Sequence, residues 1–310
     1  MIEKQLKGEL QKLVKTAVQW DCPLAPYTSF GIGGPAAALI VVERVKELED
    51  LLACCKRNDL KHRFIGKGTN LLVADTGFEG VVLLFGKGLS EIKVVEETDN
   101  KHVIIQVGAG CSLAKLLNWC TERGYSGLEF ASGIPGSLGG AVIMNAGAWN
   151  GEMADVLRLV NTFSMAAGEE KLSVAELEFS YRKWRNQKNS AGEKRLVTSA
   201  EIVLQKGVKE TIQQRCREYL AKRKAKQPKG LKNAGSFFKN PPGDAAGRLI
   251  EAAGLKGTRH GDAMVSDVHA NFFVNMGSAR ADDIKQLMQI VIQKVKEESG
   301  IELQTEVHFL

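Results

Sequence analysis

The sequence predicts an α+β fold with more than one domain. A chain of 310 residues is long enough for two or three domains. The part before Gly207 is rich in predicted strands and glycine turns, whereas the part after it alternates helices with strands. The sequence contains no internal repeat and no low-complexity linker, so we expect the best domain boundary near Gly207.

The N-terminal part is predicted from hydrophobic spacing and turn residues. Apolar residues at helical spacing predict helices over 2–19 and 44–57. The strand 36–42, the second helix and the strand 63–65 lead into a glycine turn at 66–70, which is the order of a βαβ unit. That turn either presents backbone amides to a ligand or is a plain tight turn. Further strands are predicted over 81–85, 91–97, 103–107, 156–165 and 195–205.

A strand–turn–helix is predicted where the strand 103–107 meets a helix over 113–123. The connection contains Gly108-Ala-Gly110, which imitates a dinucleotide-binding fingerprint, but Leu113 stands where the third glycine belongs. We expect Ser112 to be the N-cap of the helix. A cofactor contact at this Gly-x-Gly is the alternative.

The C-terminal part contains predicted helices over 208–225, 244–253 and 279–298. The first is basic, the second ends at Gly254 and the third ends at Gly300. Short strands are predicted over 272–275 and 302–310. The residues of the third helix expected to face inward are Ile284, Leu287, Ile290, Val291 and Val295.

Composition excludes some classes of protein. Apolar residues make up 44% and charged residues 25%, as in ordinary globular domains. No apolar run approaches the ~20 residues that span a bilayer. The six cysteines are scattered without a C-x-x-C pair, which favours a reducing cytoplasm over a disulfide framework. The formal charge of +6 suits an anionic small substrate as well as nucleic acid.

The stretch 127–148 is dense in glycine, nearly uncharged and interrupted by Pro135. Glycine adopts positive φ easily and lets backbone approach a ligand closely. Runs of backbone N–H groups in such turns form concave anion sites that suit a pyrophosphate. The stretch matches neither the Walker loop nor the Rossmann fingerprint. We expect it to line a dinucleotide in another architecture, and the alternative is a turn-rich loop without a ligand.

Three further places suggest chemistry. Ser236 lies between a glycine and two phenylalanines. Its hydroxyl either faces a pocket or bonds to backbone, and spacing alone favours the bond to backbone. Arg182 follows Tyr181 and either binds a carboxylate through its planar fork or lies on the surface. Glu306 belongs to the polar face of the predicted strand 302–310, and such a face is commonly solvated.

The run 222–232 is strongly basic and has no interleaved aromatic residues. It is typical of a solvated or phosphate-binding face, and it is a weak signal for single-stranded nucleic acid. The five histidines show no metal-ligand spacing, so we expect no metal site.

Seven motifs occur in order along the chain and together resemble one family. They are Tyr-Thr-Ser-Phe-Gly-Ile-Gly-Gly-Pro-Ala, Gly-Lys-Gly-Thr-Asn-Leu-Leu-Val, Gly-Ile-Pro-Gly-Ser-Leu-Gly-Gly-Ala, Asn-Ala-Gly-Ala, Tyr-Arg, Asn-Ala-Gly-Ser-Phe-Phe-Lys-Asn-Pro and His-Ala-Asn-Phe-Phe-Val-Asn. Each is weak alone, but the ordered set covers nearly the whole chain and is similar to UDP-N-acetylenolpyruvoylglucosamine reductases, the MurB flavoenzymes of peptidoglycan synthesis. The spacing between Ala148 and Tyr181 and the short C-terminus resemble the shorter subtype, which lacks an extra substrate-capping loop.

The resemblance implies a two-lobed FAD-binding domain of the vanillyl-alcohol-oxidase type, with lobes over 1–85 and 86–206. It also implies a C-terminal α+β substrate-binding domain over 207–310, whose last strand can return to the FAD-binding domain. The expected enzyme is a cytoplasmic monomer without a membrane or nucleic-acid partner.

Motif position also implies the binding residues. Substrate contacts are expected at Tyr181, Lys226 and Asn240. The residues expected to line the flavin are Gly66, Lys67, Gly68, Thr69, Asn70, Gly133, Ile134, Pro135, Gly136, Gly139, Gly140, Ala141, Asn145 and Gly147.

The activity implied by the resemblance is an NADPH-dependent reduction in which FAD passes hydride to the enolpyruvyl ether of UDP-N-acetylglucosamine enolpyruvate, giving UDP-N-acetylmuramate. Arg182 and Glu306 match the pair that stabilises the enol-like intermediate, and Ser236 matches the proton donor. An enolate needs donors aimed where charge develops. Arg182 supplies them directly, whereas Glu306 does so only when it is protonated.

Three residues depart from the family pattern. Trp184 replaces the serine of the usual Tyr-Arg-x-Ser, so the local support of Arg182 can differ. Thr69 stands where serine is commoner and keeps the hydroxyl. Val268 stands where lysine is frequent, which removes one charge.

Two alternatives remain at this point. One keeps the FAD domains but oxidises another substrate; the segment 233–241 and Glu306 argue against it, because a generic oxidase does not need them. The other is a nucleotide- or nucleic-acid-binding protein that uses 222–232, for which salt-sensitive RNA binding by a colourless protein is the expected sign.

Overall fold

A computed structural model describes residues 2–97 and 101–310 of the chain. The helices are α1 (Lys4–Lys12), α2 (Val45–Arg57), α3 (Leu113–Glu122), α4 (Leu138–Ile143), α5 (Lys209–Lys226), α6 (Ala246–Ala252) and α7 (Ala281–Ser299). The first ten strands are β1 (Gln19–Pro23), β2 (Pro35–Val42), β3 (His62–Phe64), β4 (Leu71–Leu72), β5 (Phe78–Phe85), β6 (Ile92–Glu96), β7 (His102–Gly108), β8 (Tyr125–Ser126), β9 (Gly147–Ala148) and β10 (Gly151–Glu152). The others are β11 (Leu157–Ser164), β12 (Gly168–Ser173), β13 (Phe179–Ser180), β14 (Lys183–Trp184), β15 (Leu196–Lys206), β16 (Lys232–Ser236), β17 (Arg259–His260), β18 (Ala263–Val265), β19 (Phe272–Asn275) and β20 (His308–Phe309).

The chain divides into two compact units that are not continuous in sequence. Unit 1 comprises Met1–Gln19, Ala38–Gly66 and Gly80–Ala221, and unit 2 comprises Trp20–Ala37, Lys67–Glu79 and Lys222–Leu310. The division into 1–85, 86–206 and 207–310 therefore stays a prediction. The mixed helix and strand content confirms the α+β class.

The largest sheet lies in unit 1 and has the order β12–β11–β15–β7–β6, with β8 paired to β15. Its neighbouring strands are antiparallel. Helix α3 follows β7, and the Ser112 hydroxyl accepts a hydrogen bond from Lys115 N at 3.2 Å, which confirms the predicted N-cap. A second sheet has the order β1–β2–β5–β3, in which β3 runs parallel to β5.

Unit 2 is built around a sheet of order β16–β19–β18–β17. Helix α7 supplies the fully buried residues Ile284, Leu287, Val291 and Val295 to its core. Asp75 accepts hydrogen bonds from the first two N–H groups of α7, a contact between distant segments that the sequence does not reveal. Gly300 has φ 72° and ends the helix as predicted.

Three predicted details are wrong. The first helix ends at Lys12 instead of reaching residue 19, and its continuation still buries Val14 and Val18 in non-helical backbone. Ile290 of α7 is 39% exposed, because it lies at the border of the apolar stripe. The segment 302–310 is not one strand; it makes an isolated bridge between Thr305 and Phe238 and then bends into β20. The bend turns Phe309 outwards, against the predicted alternation.

Candidate functional site

The glycine-rich stretch of unit 1 folds into two turns followed by α4. Gly133 and Gly136 have φ values of 75° and 146°, which only glycine adopts easily. Gly139 donates to the Ala109 carbonyl at 2.9 Å, and a Cβ on it would lie 3.0 Å from Ala109 Cβ. The close packing of Gly139 on Ala109 therefore needs a glycine.

Several N–H groups of this stretch are left without an acceptor. Within residues 2–97 and 101–310, no carbonyl or side chain accepts from the N–H of Gly136, Ser137 or Gly140. Ser137 is buried, whereas Gly133, Pro135 and Gly140 are exposed. Adjacent donors that the protein does not use form a cradle for an anion. This geometry fits the pyrophosphate of a dinucleotide.

The glycine turn after β3 reaches the same stretch. A Cβ on Gly66 would lie 2.5 Å from Ser137 Oγ, so the backbone of Gly66 lies directly against the cradle. Both residues belong to unit 1. Gly66 is therefore adjacent to Ser137 within the glycine-rich stretch. Ile134 is half-buried and Ala141 is buried beside them.

Asn145 connects the glycine-rich stretch to the Tyr-Arg motif. Its side chain is fully buried, with Oδ1 accepting from Ala154 N at 3.0 Å and Nδ2 donating to Ser180 O at 3.4 Å. Asn145 itself has φ 41°, a strained value for a residue with a side chain. Its amide thus supports the β13–β14 hairpin, a role that the sequence did not indicate.

Arg182 lies at the tip of the β13–β14 hairpin. Its φ is 56°, and its Nη2 donates to the Gly147 carbonyl at 2.7 Å. The guanidinium carbon lies 4.8 Å from the centre of the exposed Tyr181 ring. The structure therefore brings Arg182 next to Gly147, one of the residues predicted to line the flavin. Backbone strain at a residue of this kind is common at functional sites.

Trp184 fills a space inside unit 1. Its side chain is 2% exposed, its ring lies 6.2 Å from that of Phe179, and its indole N–H donates to Asn186 Oδ1 at 2.6 Å. The indole therefore supports the hairpin that presents Arg182 by apolar packing and a hydrogen bond. This explains how the chain accommodates tryptophan in place of the usual serine.

The Gly108-Ala-Gly110 connection has a structural explanation. Gly110 N donates to Leu89 O at 2.9 Å. A Cβ on Gly108 would lie 2.4 Å from Leu89 O, and a Cβ on Gly110 would lie 2.8 Å from Phe85 Cβ. The glycines are needed because the chain packs closely there. The strand–turn–helix prediction is confirmed by β7 and α3.

In unit 2 the turn after Gly66 is held against an earlier segment. Gly68 is buried, accepts from Ser29 N at 3.0 Å, and has no room for a Cβ beside the Tyr27 carbonyl. Lys67 is exposed and Thr69 is half-buried. Asn70 donates from Nδ2 to the backbone oxygen of Glu306 at 3.0 Å.

The backbone of Glu306 pairs with that of Phe237, the residue after Ser236, at the end of β16. Glu306 N donates to Phe237 O at 2.8 Å, so Glu306 pairs with the residue directly after Ser236. Phe237 is fully buried and stacks on Phe273 at 4.1 Å, which fixes the backbone at this point. In the described part of the chain, no group forms a hydrogen bond with the half-buried Ser236 hydroxyl. The backbone hydrogen bond considered for Ser236 is thus not found there, and the pocket-facing role of its hydroxyl stays a prediction.

Asn271 is a residue that sequence reasoning missed. Its side-chain amide donates to Phe238 O at 2.8 Å and accepts from Phe238 N at 2.9 Å. Its backbone carbonyl accepts from Phe237 N at 2.7 Å. It is 3% exposed. Asn271 thus continues the sheet beside the segment that contains Ser236. A buried asparagine within an apolar motif was the available signal.

The predicted substrate contacts of unit 2 are exposed. Lys226 is the last residue of α5, and Asn240 Oδ1 accepts from Ala246 N at 3.0 Å at the start of α6. Among the described residues, no cluster of three His, Cys, Asp or Glu side chains could hold a metal ion. No helix within the described ranges is both long and apolar enough to span a bilayer.

Comparisons with known proteins identify the family. Residues 227–310 match the model of the UDP-N-acetylenolpyruvoylglucosamine reductase C-terminal domain, and residues 36–170 match an FAD-binding domain. The chain is 41% identical to the UDP-N-acetylenolpyruvoylglucosamine reductase of Syntrophus aciditrophicus, over 98% of this chain and 96% of that protein. It is also 41% identical to the UDP-N-acetylenolpyruvoylglucosamine reductase of Desulforamulus reducens, over 100% of this chain and 99% of that protein.

A solved structure agrees with these relatives. The crystal structure of the MurB reductase from Thermus caldophilus superposes with a TM-score of 0.76 at 40% identity, covering 94% of this chain and 98% of that one. FAD is the cofactor, and the unused N–H groups of Gly136, Ser137 and Gly140 fit its pyrophosphate. The chain belongs to the family of UDP-N-acetylenolpyruvoylglucosamine reductases.

Proposed function

We propose that the protein reduces UDP-N-acetylglucosamine enolpyruvate to UDP-N-acetylmuramate with NADPH, a step of peptidoglycan synthesis. The observation that supports this most directly is the backbone hydrogen bond from Glu306 to Phe237, the residue that follows Ser236. Reduction of an enol ether adds a hydride to one carbon and a proton to its neighbour. The chain has to supply a proton donor and a group that stabilises negative charge.

Ser236 is the proposed proton donor. Its hydroxyl is half-buried, and no described residue uses it in a hydrogen bond, so it is available to a substrate carbon. A serine is a poor acid in water, but a fixed position near the reacting atom supplies much of the rate. The buried ring of Phe237 and the amide of Asn271 hold the backbone that carries it.

Arg182 and Glu306 are the proposed stabilising groups. The enol-like intermediate concentrates charge on its carboxylate, and a planar guanidinium matches a carboxylate better than a point charge does. The bond from Nη2 to Gly147 O sets the orientation of the Arg182 side chain. A protonated Glu306 would act as a second donor.

FAD supplies the hydride when it is bound, after NADPH has reduced it. The turn residues Gly66 to Asn70 and the stretch from Gly133 to Gly147 are the proposed binding residues. The N–H groups of Gly136, Ser137 and Gly140 would donate hydrogen bonds to pyrophosphate oxygens. The remaining residues proposed at the flavin are Lys67, Gly68, Thr69, Ile134, Pro135, Gly139, Ala141 and Asn145.

Tyr181, Lys226 and Asn240 are the proposed substrate contacts. A cation at the end of α5 suits the diphosphate of a UDP-sugar. We further propose that the enzyme is a cytoplasmic monomer. The positive charge at the end of α5 would serve its nucleotide substrate, and we expect no nucleic-acid partner. Gel filtration with light scattering tests whether the protein is a monomer. An RNA-binding assay at low salt tests whether it has a nucleic-acid partner.

An anaerobic absorption experiment tests the proposed activity. The flavin band of the purified protein should bleach with NADPH and return after addition of UDP-N-acetylglucosamine enolpyruvate. Bleaching without recovery would mean that the flavin assignment is right and the substrate assignment wrong. A protein that does not take up FAD would contradict both.

A further inference from the structure

We propose that Tyr219 positions the Arg182 guanidinium for the reaction, through the turn of the β9–β10 hairpin. Tyr219 lies on α5 and stacks on Trp149, which belongs to that turn. Neither aromatic residue belongs to one of the seven motifs, and all three residues lie in unit 1. The inference rests on the proposed function, because Arg182 is one of its stabilising groups.

The turn between β9 and β10 has an unfavourable backbone conformation. Its two central residues, Trp149 and Asn150, have φ values of 56° and 62°. Two consecutive positive φ angles occur in tight hairpin turns, which glycine and asparagine accept more easily than a bulky aromatic residue does. Such a conformation persists only where other contacts hold it.

Stacking on α5 is the contact that holds Trp149. The ring centroids of Trp149 and Tyr219 are 5.2 Å apart, and the ring planes differ by 9°. Nowhere in the described ranges does the buried indole N–H or the Tyr219 hydroxyl have a hydrogen-bond partner. The two ring faces therefore make this contact, and a stacked aromatic pair contributes more than its buried area alone.

Helix α5 is itself anchored to unit 1 by the face that carries Tyr219. Ile212, seven residues earlier, is 4% exposed. Arg215, four residues earlier, places its Nη1 3.6 Å from Oε1 of the buried Glu129. That carboxylate also accepts from Gly127 N at 2.7 Å, at the start of the glycine-rich stretch. Residues four and seven apart lie on one side of a helix, so Tyr219 is a fixed support for the turn.

The turn in turn fixes a hydrogen-bond acceptor of Arg182. Gly147 lies opposite Glu152 in the hairpin, and its carbonyl accepts from Arg182 Nη2 at 2.7 Å. A Cβ on Gly147 would lie 2.4 Å from Gly151 O, so the two strands pack closely and the Gly147 backbone cannot shift independently of the turn. A guanidinium binds a carboxylate through two parallel bonds only when its plane is correctly oriented. Loss of the ring stack should therefore misorient Arg182.

Three substitutions separate the ring stack from other effects of the helix. Tyr219→Ala removes the ring and retains a strong helix former. Tyr219→Phe retains the ring face and removes only a hydroxyl that bonds to no described residue. Leu220→Ala, at the neighbouring residue of α5, is the matched control, because its side chain is 36% exposed.

The first measurement is the rate of flavin reoxidation by the UDP-sugar, in the wild-type and in the Arg182→Lys background. Tyr219→Ala should lower this rate about tenfold, since displacement of a reacting group costs up to about 100-fold. In Arg182→Lys the same substitution should cost less than about twofold, because residues that act through one network are not additive. Tyr219→Phe should restore the rate. Flavin reduction by NADPH and the KM of the UDP-sugar should not change.

The second measurement needs no turnover. The Nη protons of Arg182 in ¹⁵N-labelled apoprotein, assigned by their loss in Arg182→Lys, report how freely the guanidinium rotates. Wild type, Tyr219→Phe and Leu220→Ala should give resolved Nη signals, because the bond to Gly147 restricts rotation. Tyr219→Ala should give averaged signals.

Several outcomes would overturn the inference. Equal losses from Tyr219→Ala in both backgrounds, an equal loss in Leu220→Ala, or equal losses in both half-reactions would each do so. A raised KM with unchanged kcat would mean that the rings bind the substrate themselves. Wild-type turnover with normal Tyr219→Ala kinetics overturns the inference and leaves the proposed function in place. If the UDP-sugar does not reoxidise wild-type flavin, the proposed function fails, and the Arg182 signals alone then decide the inference.

Discussion

The side-chain amide of Asn70 donates a hydrogen bond to the backbone carbonyl oxygen of Glu306 at 3.0 Å. The contact is reciprocal along the chain, because His308 N donates to Asn70 O at 3.1 Å. On its other side Glu306 is held by the bond from its N–H to Phe237 O. The backbone of Glu306 is thus fixed from two directions. Asn70, which motif position assigns to the flavin, also positions a proposed catalytic residue.

Replacement of Asn70 tests this positioning role. Asn70→Ala should slow the reoxidation of reduced flavin by the UDP-sugar, because Glu306 loses a hydrogen bond that holds its backbone. The free energy of unfolding should fall by only about 1 kcal/mol, the usual net value of one hydrogen bond. Stopped-flow absorbance and urea unfolding measure the two effects.

Asn58→Ala is a matched control for that substitution. Asn58 Nδ2 donates to Cys54 O at 2.9 Å at the end of α2, so its loss should cost similar stability. Flavin reoxidation should stay normal in this variant. If Asn58→Ala and Asn70→Ala slow reoxidation equally, the effect of Asn70 is a general loss of stability and the positioning role is wrong.

Ser236→Ala separates proton donation from folding. The Ser236 hydroxyl forms no hydrogen bond in the described part of the chain, so its removal should change the free energy of unfolding by less than about 0.5 kcal/mol. Reoxidation of flavin by the UDP-sugar should fall about 100-fold or more, as expected for loss of a general acid. Reduction by NADPH should be unaffected.

The contrasting control is Ser266→Ala. The Ser266 hydroxyl is buried and accepts from Val268 N at 3.2 Å, so its removal should destabilise the protein while leaving proton transfer in place. Equal losses in both half-reactions of Ser236→Ala would contradict the proton-donor role.

The ordered motifs point to candidate site residues but not to the residues that support them. The ordered motifs named Ser236, Arg182 and Glu306 directly, because a motif contains the residues that meet a ligand. The amides of Asn145 and Asn271, which hold the neighbouring backbone, contact residues far away in sequence. Such partners depend on tertiary packing, which local spacing does not encode.

Helix and strand prediction succeeded and failed for physical reasons. Helix α7 was predicted well because one apolar stripe faces one core and Gly300 provides a clear end. The segment 302–310 alternates like a strand, but a bend at Val307 directs it from Phe238 to β4. That change of partner reverses the face of Phe309. The alternation of apolar and polar residues along the sequence does not indicate it.

Arg182→Lys tests the need for a planar guanidinium. Lysine keeps the charge but cannot bind a carboxylate with two parallel bonds, so flavin reoxidation should fall about tenfold or more. The substitution keeps a side chain at φ 56°, so the backbone strain is matched between the two proteins. Lys183→Arg, at the exposed next residue of the same hairpin, is the control. Reoxidation at the wild-type rate in Arg182→Lys would show that charge alone suffices.

Trp184→Ser restores the residue that is usual in the family, yet we expect it to destabilise this protein. The indole is 2% exposed, and its removal leaves a cavity that costs about 3–5 kcal/mol. Trp184→Phe should lose less, since it keeps apolar volume and gives up the bond to Asn186. Thermal unfolding measures both. A Trp184→Ser protein as stable as wild type would mean that the hairpin does not depend on the indole.

Gly139 and Gly140 are adjacent in α4, and alanine substitutions at the two positions should change the stability of the apoprotein in opposite directions. At Gly139 the new Cβ would lie 3.0 Å from Ala109 Cβ and 3.3 Å from its carbonyl oxygen, so the apoprotein should lose about 1–3 kcal/mol. At the exposed Gly140 the Cβ would meet only Ser137 Oγ at 3.6 Å, and alanine should stabilise the helix by up to about 1 kcal/mol.

FAD binding completes the test of this pair. If the pyrophosphate lies against the N–H of Gly140, the added methyl group of Gly140→Ala occupies space that the cofactor needs. FAD should then bind Gly140→Ala weakly, although its apoprotein unfolds at or above the wild-type temperature. Fluorescence titration of the apoproteins with FAD measures this affinity. Wild-type affinity in a well-folded Gly140→Ala protein would exclude Gly140 from the flavin site, because sterics inside the chain cannot account for the result.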